Sequence, residues 1–122
     1  MMLVQIHSTL ANTVWLFFLA VGVWGVIRAV RGYGVDGNYL GALAIGEGLY
    51  VLQGILGFVL WLEGGRPGRA GIHLLYGIFA MLFLPFMFGV LRGDDTNRGQ
   101  WVYALATLFL FGVALRAIST GT

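Results

Sequence analysis

The chain has 122 residues, of which 59% are hydrophobic and 10% charged, with a net charge of +2 and no cysteine. A soluble domain carries about a quarter charged residues, and one this small has no core large enough for so much apolar surface, so the solvent must be lipid. Without cysteine there are no disulfides, iron–sulfur clusters, thiolate zinc sites or thiol catalysis, and +2 is too little charge for nucleic acid.

A spanning helix needs about 20 apolar residues. The first run that qualifies covers residues 4–30. No Lys or Arg precedes it and no small-x-small cleavage site follows, so it is expected to remain as a helix rather than be removed as a signal peptide. It carries His7 near its start, with Ala11 one turn on and Asn12 and Thr13 following. A polar connection over residues 31–38 contains Gly, Asp and Asn.

The second run covers 39–62. Glu47 stands about eight residues inside it, roughly 12 Å from its start. An ionisable group at that depth is costly and marks a candidate site, for proton transfer, a quinone headgroup contact or cation-coupled transport. Gly46, Glu47, Tyr50, Gln53, Gly54, Gly57 and Trp61 make one polar and small stripe, expected to face the bundle or a partner. Tyr103 and Thr107 are the expected hydrogen-bond partners of Glu47, and Gln53 belongs to the same candidate set.

After a turn over 63–69, the third run covers 70–91. It opens with His73, has Gly77 one turn on, and contains Pro85, which should kink the helix and free a carbonyl. The loop over 92–100 leads to the fourth run, 101–118. Thr107, like Asn12 and Thr13, is expected to bond between helices. With connections this short, neighbouring helices run antiparallel. The expected fold is an all-α integral membrane protein, a single four-transmembrane-helix bundle running up-down-up-down. The two halves read as a weak tandem repeat of helical hairpins, each running Ile-His, helix, Arg-Gly, loop, helix.

All seven cations are Arg. Four (Arg28, Arg31, Arg92, Arg98) fall on the face opposite the termini and three (Arg66, Arg69, Arg116) on the terminal face. The positive-inside rule then puts the termini on the non-cytoplasmic side of a membrane expected to be a prokaryotic cell membrane.

His7 and His73 are the only histidines. The first lies 21 residues before Arg28 and the second 19 before Arg92, about 31 and 28 Å of helix. The two helices run in the same direction, so both imidazoles should sit at one height. Two neutral imidazoles facing each other can clamp a metal macrocycle, and b-type haem is the expected cofactor. Ala11, Gly77, Gly54, Gly57, Gly112 and Ala114 would give room for a flat ring, and Arg66 and Arg69 would meet its propionates. The alternatives are a chlorin whose magnesium takes one histidine, a cofactor-free structural subunit, and a small transporter working through Glu47. In the last two, the histidines are interfacial polar residues and the glycines serve helix packing.

There is no phosphate loop, nucleophile elbow or HExxH, so an independent enzyme is not expected. Four apolar helices with two candidate histidine ligands resemble small membrane b-type cytochromes and the anchor subunits of respiratory complexes, at the level of architecture only. That resemblance implies a small subunit in a membrane electron-transfer assembly. Its expected partners are the lipid bilayer and other membrane subunits or further copies of itself.

Overall fold

The computed structural model describes residues 2–121. Four helices account for most of them: α1 (Met2–Val30), α2 (Gly37–Leu62), α3 (Ala70–Leu91) and α4 (Asn97–Gly121). All four are long and apolar enough to cross a bilayer, and no strand occurs among the described residues. The chain is an integral, multi-pass membrane protein, since a single helix satisfies its own backbone in lipid.

The ends of the helices are set by short polar signals. Gly32, at φ +82°, closes α1: its N–H bonds to the Ala29 carbonyl while the Tyr33 N–H reaches back to Arg28. The same pair of bonds recurs at the end of α2, around Gly64 at φ +92°. Both are left-handed stops that a Cβ would strain. Asp36 caps α2, its carboxylate accepting from the Tyr39 N–H at 2.8 Å.

The fourth helix starts at Asn97 rather than at Trp101, the first residue of the apolar run. Asp94 accepts from the N–H and the hydroxyl of Thr96, and Thr96 Oγ1 accepts from the Gly99 N–H. This capping nucleates the helix among polar residues, where hydropathy gives no signal. At its other end α4 runs on past Ile118 to Gly121. There the Thr120 and Gly121 carbonyls accept from the N–H groups of Arg69 and Gly68.

Packing follows the up-down-up-down order. Each helix contacts its two neighbours around the ring, and α1 with α3 and α2 with α4 form the diagonals. The α1–α4 seam is the most extensive because α1 offers glycine there. A Cβ on Gly22 would lie 2.5 Å from Leu108 Cδ2, and one on Gly25 would lie 3.0 Å from the Ala104 Cβ and run into Tyr39 Oη. Small residues let two backbones approach, and packing of this kind replaces the hydrophobic effect as the force between helices in lipid. Val14, Phe18, Tyr39, Tyr50, Tyr103 and Leu110 fill the core. Tyr50 Oη donates to the Leu110 carbonyl at 2.8 Å and Tyr39 Oη to the Val21 carbonyl at 3.2 Å. α3 turns most of its surface outward, with Leu75, Leu82 and Phe86 all exposed.

Candidate functional site

His73 sits in the first turn of α3, its N–H bonded to the Arg69 carbonyl at 2.8 Å. His7 sits in the second turn of α1. Parallel helices on one diagonal of the ring bring the two imidazoles together: their ring centroids are 6.3 Å apart, with planes inclined at 78°. Both rings are half-buried.

The end of α4 orients His73. Its Nδ1 lies 2.9 Å from the Ala117 carbonyl and 3.3 Å from Thr120 Oγ1. A carbonyl only accepts, so Nδ1 carries the proton, and in the neutral ring Nε2 holds the lone pair. Gly121 is the residue that fits beside this ring, because a Cβ there would lie 2.8 Å from His73 Cε1. His7 lies against α2, where a Cβ on Gly57 would stand 3.6 Å from its Cε1. Gln53 comes from the same helix, its Nε2 donating to the His7 carbonyl at 3.0 Å. Two buried polar atoms here lack a hydrogen-bond partner, His7 Nδ1 and Gln53 Oε1.

Of the small residues expected to make room, Gly57 touches the site, and Ala11 is half-buried one turn below His7. A Cβ on Gly77 or Gly112 would meet no atom within 4 Å, whereas Gly54 packs on Met81 of α3. Arg66 folds over Trp61, its guanidinium carbon 3.9 Å from the ring centroid, and donates to the Trp61 and Gly65 carbonyls. The Arg69 side chain is exposed on the same face. Ala117, Thr120 and Gly121 escaped sequence reasoning. A backbone carbonyl leaves no trace in sequence, and these residues lie beyond or at the edge of the apolar run.

Glu47 is elsewhere, in a cleft between α2, α3 and α4 that it lines with Leu84, Pro85 and Tyr103. The expected bonds to Tyr103 and Thr107 do not form. Thr107 Oγ1 donates to the Tyr103 and Ala104 carbonyls of its own helix, and both Glu47 Oε1 and Tyr103 Oη are buried without a partner. Asn12 likewise bonds within its helix, accepting from Trp15 Nε1 at 3.1 Å, not between helices. Short polar side chains on a helix find their own backbone or the next turn more readily than a neighbour.

Among the described residues no group of three or more His, Cys, Asp or Glu is gathered as for a metal ion. The chain matches no family model, no curated protein and no solved structure.

Proposed function

We propose that this protein is a small membrane-integral electron-transfer subunit in which His7 and His73 would together hold one b-type haem. The observation that carries the reading is the 6.3 Å between the two ring centroids. Imidazoles sharing one metal at about 2 Å per nitrogen have ring centres about 6 Å apart. A bare zinc or copper ion needs three or four protein ligands, which the histidine pair does not supply. A macrocycle brings its own four equatorial nitrogens and asks the protein for two.

Bound haem supplies reversible one-electron chemistry at iron, and the residues of this chain would orient and tune it. The Ala117 carbonyl fixes the His73 tautomer and so leaves Nε2 for the metal. Gln53 Oε1 is the acceptor available to His7 Nδ1–H. That pairing would satisfy both unpartnered atoms at once and free the other nitrogen of His7. Second-shell acceptors of this kind hold ligating histidines in place. Arg69, exposed on the same face, is the first candidate for a propionate, because Arg66 is already engaged with Trp61 and its loop.

The test is the spectrum of protein purified in mild detergent from haem-supplied cells. A Soret band with sharp reduced α and β bands is expected, lost in His7→Ala and in His73→Ala. Colourless protein, or haem retained in both variants, overturns the reading. A red absorption band in place of the haem bands would assign the pair to a chlorin. Ion or solute flux by protein reconstituted alone, abolished by Glu47→Leu, would favour a transporter.

A further inference from the structure

The cleft between α2, α3 and α4 is open to one side and has a volume of about 250 Å³. Its walls are apolar, from Leu40, Leu84, Pro85 and Phe88. Two lining residues break the pattern, Glu47 from α2 and Tyr103 from α4. Glu47 Oε1 and Tyr103 Oη are both buried and unpartnered, and Tyr103 is 2% exposed. Neither bonds to the other. At membrane depth an unsatisfied polar atom is costly and bulk water does not relieve it. Glu47 stands eleven residues beyond the Asp36 cap, roughly 16 Å along the helix.

A single phenolic hydroxyl would satisfy both atoms, donating to Glu47 Oε1 and accepting from the Tyr103 hydroxyl. Of the lining residues, Leu40 and Phe88, in the end turns of α2 and α3, are 36% and 52% exposed, and apolar surface on a spanning helix faces lipid, which gives an occupant a path from the bilayer. A charged phospholipid headgroup does not belong at this depth. A flat ring does, beside the exposed Phe88 side chain, with an apolar tail leaving between Leu40 and Phe88. We propose that the cleft between α2, α3 and α4 binds the hydroxylated ring of a lipid-soluble quinol, held by hydrogen bonds to Glu47 and Tyr103. The cleft is separate from the histidine pair: Glu47 and Gly57, which lies beside His7, are ten residues apart on α2, about 15 Å along its axis. The proposal therefore stands whether or not the histidines hold haem.

Tritiated decylubiquinol, kept reduced under nitrogen, tests this on the full chain in phosphatidylcholine nanodiscs. Saturable binding at one site is expected. The dimethyl ether of the same quinol, which cannot donate, should compete at least tenfold more weakly. Glu47→Leu and Tyr103→Phe preserve shape in apolar surroundings and should each weaken binding at least tenfold, while helical circular dichroism and elution volume stay as in the wild type. Gly112→Ala, whose added methyl meets open space on α4, should bind like the wild type. Absence of saturable binding, equal competition by the dimethyl ether, or wild-type affinity in both cleft variants overturns the proposal.

Discussion

Arg28, in the last turn of α1, holds Gln100, in the first turn of α4, through a hydrogen bond of 3.2 Å from Nε to Oε1. Its other arms donate to the Gly34 carbonyl and pair with Asp36 at 3.3 Å. One guanidinium thus ties α1, the first loop, the cap of α2 and α4 together. Its side chain is only 16% exposed, so solvent screens it little. Arg28→Met should destabilise the bundle by about 2–4 kcal/mol, since it leaves the buried Gln100 oxygen and the Gly34 carbonyl without their donor. Thermal unfolding in detergent should show the loss, and Arg28→Lys should recover only part of it, having one ammonium in place of a fork.

The α1–α4 seam predicts a contrast among glycines. Gly25→Ala places a methyl against Tyr39 Oη and the Ala104 Cβ and should cost about 1–3 kcal/mol through overpacking. Gly112→Ala meets open space and should change stability by less than about 0.5 kcal/mol. Equal effects in the two variants would show that the seam is not closed as described.

At the histidine pair, Gly121→Val should disturb the His73 ring, because its Cβ would overlap Cε1. Thr120→Val removes the longer of the two contacts to Nδ1 and keeps the Ala117 carbonyl. If the pair ligates haem, Gly121→Val should lower haem occupancy by about 10- to 100-fold, the range for lost ligand support, and Thr120→Val by less than about tenfold. Haem titration followed at the Soret maximum checks both.

Glu47 and Tyr103 predict an inverse result. Each carries a buried polar atom without a partner, which costs about 1–3 kcal/mol relative to an apolar group of the same shape. In protein without added ligand, the pair Glu47→Leu with Tyr103→Phe should unfold at a higher temperature than the wild type. A lower temperature would mean that these groups stabilise the resting bundle.

Asp94 predicts a pH dependence at the start of α4. Hydrogen bonds from the Thr96 hydroxyl and then from its N–H hold the carboxyl below its ordinary value of 3.8. A depressed folded value stabilises the fold above the unfolded value and loses that contribution as pH falls through the folded one. The first turn of α4 should therefore fray as pH drops below about 4. The protection factors of the Arg98 and Gly99 amides, taken against the intrinsic exchange rate at each pH, should fall in that range in the wild type. In Asp94→Asn they should be lower at neutral pH and nearly constant with pH.

The sequence by itself determined the membrane, the four helices, the bundle topology and the shared height of His7 and His73. Each of these follows from a periodic or cumulative property: runs of about 20 apolar residues, short connections, and a fixed rise per residue. It also marked Glu47 as a costly group in lipid and placed Gln53 in the same polar stripe. What it left open depends on rotation about helix axes and on backbone atoms. Hydropathy is nearly uniform around α1 and α3, so no sequence pattern says which face turns inward; the glycine seam with α4 fixes α1, and the contacts of α3 with Gly54 of α2 and with the Ala117 carbonyl of α4 fix α3. That rotation brings the imidazoles to 6.3 Å, gives His73 the Ala117 carbonyl, and turns Thr107 back onto its own helix, so that Glu47 and Tyr103 face one cleft unpaired. In lipid, apolar contact with a neighbouring helix differs little from apolar contact with solvent. The choice among rotations therefore falls to close packing and a few buried hydrogen bonds, which exist only once the chain is assembled.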